Sequence, residues 1–348
     1  MGDSRRRGGW HVRPPTSAED GIDAEDIQGI LAAEGFSAEE FRELRCATHR
    51  PERFAFALDR TWVAKIFGPD DFRNFLIEEK VSRILHARGI SVPEVIAARA
   101  QEGTYSYIVF RHAAGESLSS VYQTMSLTEY TSMVVCLAEV FKGIHNLAPT
   151  LFDGIPFFER DHEQYFNLSS RRSTTIHDSV RALIEEGALH ASACQICEVV
   201  EREATGMFRS EKALIHADIH NENLFLGGTE RSLFCEFIDW ETARIEPLEL
   251  EFVHPFLNIL GEAFPGRRLG KEVRVGPDNE LLKAFDNAYN EVICWDHVAI
   301  HGVVTYLDWA LGAHRKDQFP LRDFYLRTGI GGLEFVGLLR MEGLISDA

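Results

Sequence analysis

The sequence predicts an α+β chain of two lobes, a small β-rich N-lobe followed by a large, mainly helical C-lobe. Three observations carry this expectation. At 348 residues the chain is too long for one small domain and too short for several independent ones. Residues 54–111 carry short strand-like runs around one helical stretch, in the order β-β-α-β-β. Beyond Gly115 the apolar spacing is helical, interrupted by one β-like patch. The expected division is a flexible tail over 1–20, an N-lobe over 21–110 and a C-lobe over 111–348.

The tail offers two false targeting signals. Arg5, Arg6 and Arg7 are followed by Gly8, Gly9, Trp10 and His11 where a signal peptide needs an apolar run, and Arg6 stands where N-acylation after Gly2 needs Ser or Thr. An acidic stretch near 23–44 has helical spacing. Phe54–Leu58 and Trp62–Phe67 form a predicted hairpin, with Asp59 and Arg60 at its turn. Asp71–Ala87 is a predicted helix stopping near Gly89, and Glu94–Arg99 and Thr104–Arg111 are strands around Glu102 and Gly103. Helices are expected over Leu127–Leu147, Arg181–Phe208, Asp278–Cys294, His297–Leu311 and Phe319–Leu339. The β-like patch comprises Leu214–Leu226 and Leu233–Ile238, around Gly227, Gly228 and Thr229.

Composition excludes several function classes. No run of about 18 uninterrupted apolar residues is present to cross a bilayer. A net charge of -18 repels phosphate backbones, so nucleic acid is not an expected partner. The charge is uneven, about net -3 over 1–110 and -15 over 111–348. An acidic second lobe suits a cationic small substrate, although a solvated surface selected for solubility has the same signature. Six sparse cysteines (46, 136, 194, 197, 235, 294) in largely apolar surroundings suit reduced core residues and a cytoplasmic location.

Reactive side chains concentrate in Ile215-His216-Ala217-Asp218-Ile219-His220-Asn221-Glu222-Asn223 and in Phe237-Ile238-Asp239-Trp240-Glu241. Phosphoryl transfer requires a carboxylate to orient and receive the proton of an attacking hydroxyl, and oxygen ligands for the Mg²⁺ that neutralises nucleotide phosphates. Asp218 is the candidate base, and Asn223 and Asp239 the candidate metal ligands. Lys65 lies in the last strand of the first hairpin, and the next helix carries Glu78 and Glu79. A buried lysine that grips phosphates needs a carboxylate to hold it. Glu78 shares a helical face with Val81 and Leu85, which turns it inward; Glu79 is the second choice.

These residues resemble the aminoglycoside phosphotransferase and choline kinase family of the protein-kinase-like fold, over about residues 45–255. His216, Asp218, His220 and Asn223 align with its His-Gly-Asp-Leu-His-x-x-Asn stretch, and Ile238-Asp239-Trp240 with its Ile-Asp-Trp segment. Ile108-Val109-Phe110-Arg111-His112, with Gly115 and Leu118, is similar to the family's interlobe hinge, and Leu137–Leu147, with His145, to the helix after it. The resemblance implies ATP and Mg²⁺ as cofactors, with adenine against the backbone of Phe110, Arg111 and His112. It also implies transfer to a hydroxyl of a small polar, amine-bearing compound such as an aminoglycoside or related antibiotic. Choline, homoserine, sugars and nucleosides are alternative acceptors within the same resemblance. Two departures stand out. The turn Thr48-His49-Arg50-Pro51-Glu52-Arg53 has no glycine where the family often has a glycine- or serine-containing phosphate loop, and Glu249 or Glu251 stands where an aspartate is common.

Other readings use the same residues. On an extended segment His216, Asp218 and His220 would share one side and could ligate Zn²⁺ in a hydrolase. A catalytically silent nucleotide-binding scaffold would have lost the base, the lysine or a metal ligand, and none is missing. Cys194 and Cys197 form a lone Cys-x-x-Cys at helical spacing, read as packing. Gly266–Glu272 imitates a P-loop but is one residue short, with Glu272 where Ser or Thr must meet Mg²⁺. Glu249, Glu251, Asp296 and Asp308 are candidate acceptor contacts.

Overall fold

A computed structural model describes residues 32, 35, 42–44, 53–57, 61–100, 102, 105–122, 124–157, 176–207, 211–228, 233–253 and 280–345. Two compact units result. The first takes the described residues through Gly115 together with Gly154–Pro156 and Glu236–Thr242; the second takes Glu116–Asp153 and the described residues of Phe157–Cys235 and Ala243 onward. Residues 236–242 thus lie far along the chain from residues 21–110 yet group with them.

The first unit is built on a five-stranded antiparallel sheet of β1 (Arg42–Leu44), β2 (Arg53–Ala57), β3 (Trp62–Phe67), β4 (Val95–Arg99) and β5 (Ser106–Arg111), in the order β1-β2-β3-β5-β4. Within β3, side chains two apart share a face, so Lys65 and Phe67 point together and the ammonium sits 5.1 Å from the Phe67 ring centroid. That face buries Phe67, Ile108, Phe110 and Val95 against Phe75 of helix α1 (Phe72–Ala87). Phe67 and Phe75 meet edge to face at 5.7 Å. Glu78 is three residues beyond Phe75, so the stripe that packs the helix also turns its carboxylate inward.

In the second unit, α2 (Leu118–Val121) precedes α3 (Leu127–His145). Ser126 and Glu129 form a capping box that starts α3, and Tyr130, Met133, Val134, Leu137, Ala138, Phe141 and Ile144 form its buried stripe. His145 closes α3 inside an aromatic cluster and bonds the Tyr289 hydroxyl at 2.8 Å; burial pushes its pKa down to about 3, so the ring is neutral. Helices α4 (Ile176–Glu185), α5 (Cys194–Met207), α6 (Glu280–Tyr289), α7 (Trp295–His314) and α8 (Phe319–Phe335) follow. α4, α5, α7 and α8 share one apolar core that includes Val180, Ile196, Val303, Leu307 and Ile330. No described helix is long and apolar enough to cross a membrane.

Between the helices lie β7 (Lys212–Ile215), β8 (Leu224–Gly227), β9 (Phe234–Phe237) and β10 (Arg244–Pro247). β10 pairs with β7, while β8 pairs with β6 (Glu116–Ser117) and neighbours β9. A Cβ at Gly227 would meet the Phe234 ring at 2.2 Å, so a side chain there would require that ring to move.

Several sequence expectations are corrected. The helix expected near 23–44 ends, at Arg42–Leu44, in strand β1, because pairing with β2 overrides helical spacing; most of that stretch lies outside the described residues. The single helix expected over Arg181–Phe208 is two: Gly187, at φ +77°, stops α4, and α5 restarts at Cys194. The helix expected over Asp278–Cys294 ends at Tyr289, where Asn290 takes φ +52°. Strands β6 and β10 add to the one β patch expected in the C-lobe. The glycine-free turn at 48–52, the tail and the P-loop imitation lie outside the described residues.

Candidate active site

In the first unit the Lys65 ammonium is enclosed by three carboxylates. It stands 2.6 Å from Glu78, 2.9 Å from Glu241 and in hydrogen-bonding contact with Asp239. Burial drives the Lys65 pKa down, but Asp239 and then Glu78 outweigh it, and the net shift is upward. The lysine is therefore charged throughout the physiological range. Glu79, the second-choice partner, turns outward to Arg83 instead.

Asp239 is held there by its own turn. Phe237 and Trp240 are fully buried against one another, the Trp240 indole N–H donates to the Phe237 carbonyl at 3.3 Å, and the Phe237 N–H donates to the Ser91 carbonyl at 3.3 Å. Between these anchors Asp239 takes φ +69°, a region Asp tolerates better than most residues. The 3₁₀ turn Trp240–Thr242 that follows brings Glu241 back to the lysine.

The second unit holds the loop after β7. His216 is fully buried and Ala217 takes φ +66°. The Glu251 carboxylate accepts the N–H groups of both. Left-handed backbone costs a non-glycine residue about 1–2 kcal/mol, and this two-amide clasp offsets it. Asp218 is half-buried, and the Asn223 side-chain amide donates to the Asp218 carbonyl at 3.0 Å, closing the loop over five residues. The His220 ring accepts the Glu222 N–H at 3.2 Å, and the Asn223 N–H reaches the His220 carbonyl at 3.0 Å. With its amide nitrogen so engaged, Asn223 could offer its side-chain oxygen to a cation.

Burial pushes Glu251 up to about 7, against the lowering effect of the His216 and Ala217 amides and of Arg244. Folded protein thus holds a proton that the unfolded chain has lost, and stability falls as pH rises from about 4.5 to about 7, by on the order of 3 kcal/mol. Glu251→Gln fixes the neutral state. Thermal melts at pH 5, 6 and 7 are expected to show the wild-type Tm declining more steeply than the variant's; parallel slopes would contradict the buried titration.

At the end of β5, the Arg111 N–H donates to the Glu94 carbonyl at 2.9 Å and the His112 N–H to the Thr61 carbonyl at 2.6 Å. Two of the three N–H groups that the resemblance offers to adenine are thus engaged in the protein. The Arg111 side chain pairs with Glu94 at 2.9 Å, the His112 ring bonds the Ala113 carbonyl at 2.8 Å, and Phe110 is in the apolar cluster under the sheet.

The donor set fits a hard divalent cation. Oxygen atoms of Glu78, Asp239 and Glu241 lie within 4.8 Å of one another, a grouping of hard oxygen donors. Among the described residues this is the one such group, so His216, Asp218 and His220 do not gather as a zinc site would require. Of the candidate acceptor contacts, Glu249 and Glu251 are 4% and 2% exposed, Glu251 accepting loop amides, whereas Asp296 is exposed and Asp308 half-buried. Cys194 is exposed and Cys197 buried, both as free thiols.

The sequence profile of the phosphotransferase enzyme family matches residues 49–296. The chain belongs to this family. As a phosphotransferase it is an enzyme that moves phosphate to a hydroxyl group. Its fold is the protein-kinase-like one, shared with wild-type aminoglycoside 2'-phosphotransferase-IIIa in a GDP complex (TM-score 0.62, 11% identity, covering 89% of this chain and 98% of that one). It is also similar to macrolide 2'-phosphotransferase MphH from Brachybacterium faecium (TM-score 0.56, 12% identity, 87% and 97% covered). A thermostable mutant of aminoglycoside phosphotransferase APH(4)-Ia, in a ternary complex with ADP and hygromycin B, gives TM-score 0.59 at 15% identity, with 89% and 99% covered. No curated protein sequence matches the chain significantly.

The roles of two residues that the sequence did single out were missed. Glu241 closed the reactive stretch after Asp239, but nothing in the sequence paired it with Lys65. Glu251 stood out as a glutamate in an aspartate's place, but its role inside the loop needed the fold of β7 against β10 to appear.

Proposed function

We propose that this phosphotransferase uses ATP or GTP with Mg²⁺ to phosphorylate a hydroxyl of a small polar cation, an aminoglycoside or related antibiotic. The observation that carries the reading is the Lys65 ammonium clasped by Glu78, Glu241 and Asp239. A buried ammonium ringed by three carboxylates could meet a nucleotide phosphate oxygen, and oxygens of the same ring could hold the divalent cation that phosphate transfer uses.

In this mechanism Glu78 fixes Lys65, and Lys65 neutralises nucleotide phosphate. Asp239 and Asn223 would hold Mg²⁺, which would supply charge neutralisation of the phosphates when bound. Asp218 orients the acceptor hydroxyl and takes its proton as the phosphoryl group transfers in line. Glu251 keeps the Asp218 loop in its left-handed turn through the two amides it accepts. Nucleotide use is supported by the GDP and ADP complexes of the similar structures. The acceptor class is supported by kanamycin and hygromycin B in similar structures, and by the acidic charge of residues 111–348.

The test is nucleoside diphosphate release by purified protein with Mg²⁺ and ATP or GTP, against aminoglycosides, macrolides, choline, homoserine and sugars. Release stimulated at least tenfold by an aminoglycoside, with one added phosphate in the product's mass, is the expected result. Stimulation by a neutral or non-antibiotic acceptor alone would overturn the acceptor class. Failure of every acceptor in the panel would overturn the antibiotic reading outright.

A further inference from the structure

We infer that Cys136 and Cys235 form a thiol–disulfide site, which a low-molecular-weight disulfide oxidises to a bond tying helix α3 to strand β9. Within the second unit the Cys136 thiol donates to the Leu233 carbonyl at 3.7 Å, and the Cys235 sulfur lies 3.9 Å from the Met133 carbonyl. These two contacts run in opposite directions between the same two segments, so the sulfurs lie side by side, and the thiols share a hydrogen bond. Both are reduced in the structure.

The two thiols are unequal in a way that suits exchange. Cys136 is half-buried and Cys235 fully buried, so a small disulfide reaches Cys136 first. The hydrogen bond from Cys235 lowers the Cys136 pKa; the same bond, together with burial, holds Cys235 well above its ordinary value. Glu139, on α3, opposes ionisation of both. Cys136 is then the attacking thiol and Cys235 the resolving one. The Cys136 thiolate attacks one sulfur of the small disulfide, expelling one thiol and leaving a mixed disulfide. Cys235 gives its proton to solvent, attacks the Cys136 sulfur and expels the second thiol. Two protein thiols are oxidised and one small disulfide is reduced to two thiols. β9 ends two residues before Asp239, so the bond would anchor the strand that leads into this residue.

The test is incubation of the full chain with glutathione disulfide, followed by intact mass and non-reducing peptide mapping. The expected result is a loss of about 2 Da, from two hydrogens, and a peptide joining Cys136 to Cys235, both reversed by dithiothreitol. Cys235→Ala should instead keep one glutathione on Cys136, and Cys136→Ser should yield neither product. A stable glutathione adduct on Cys136 of the wild-type chain, without the joined peptide, would overturn the proposal. So would reaction confined to Cys194, or to a bond between Cys194 and Cys197. The wild-type arm decides the matter even where a variant fails to fold, and no arm depends on the acceptor or on turnover.

Discussion

Asp218→Asn is expected to lower phosphoryl transfer by about a thousandfold, within the range of about 10² to 10⁴ that a positioned base supplies. Nucleotide affinity should stay within about twofold, because the base acts on the acceptor hydroxyl rather than on the nucleotide. The substitution is nearly isosteric, and the loop bond at risk is made by the Asp218 main-chain carbonyl to Asn223, which the change leaves in place. Glu251 would still accept the His216 and Ala217 amides, so the left-handed turn persists. Diphosphate release under saturating acceptor, paired with calorimetric titration of nucleotide, separates the outcomes. Unchanged turnover would remove Asp218 from the chemistry, while parallel loss of turnover and nucleotide affinity would mean the loop had collapsed.

Lys65→Met carries the largest expected cost to the protein itself. It removes a cation that Glu78, Asp239 and Glu241 share, with carboxylate oxygens within 4.8 Å of one another and two of the three residues under 5% exposed. Breaking a buried ion pair by deleting one partner costs about 3–5 kcal/mol, enough to lower Tm by several degrees or more. The pH dependence identifies the cause. In the wild type the Lys65 pKa is raised, so its contribution is complete below the ordinary value of 10.5 and is lost only as pH climbs through the raised value. In the variant the crowded carboxylates repel, their pKa values rise, and folding takes up protons. The Tm deficit relative to wild type should therefore shrink between pH 8 and pH 5. Thermal melts across that range check it, and a pH-independent deficit would point to lost packing over Phe67 instead. Added Mg²⁺ should recover part of the variant's stability by occupying the same oxygens.

The sequence made the succession of elements from Phe54 to Arg111 legible because each element there is short, strongly patterned and bounded by turn residues. Trp62–Phe67 and the helix ending before Gly89 appear where spacing put them. Lys65 and Glu78 were readable for a related reason, since alternation on a strand and a three-residue step on a helix fix which way a side chain points. Helix continuity was less legible. Arg181–Phe208 has helical spacing almost throughout, and only the φ +77° of Gly187 reveals that two helices share it. The strand β10 was hidden because Arg244–Pro247 is four residues long, ends on a proline and exists through pairing with β7. The least legible features were long-range. The grouping of Glu236–Thr242 with residues before Gly115, the return of Glu241 to Lys65 and the use of Glu251 as a loop clasp all depend on contacts between segments 35 to more than 170 positions apart.

The central claim is that the carboxylate-bound Lys65 is a phosphate and metal site. A crystal structure with Mn²⁺ and a non-hydrolysable ATP or GTP analogue tests it most directly. The expected density places phosphate oxygen on Lys65 Nζ, with Glu78 still in contact and Mn²⁺ on Asp239. Nucleotide phosphates bound elsewhere, with the contact between Lys65 and Asp239 intact, would contradict it.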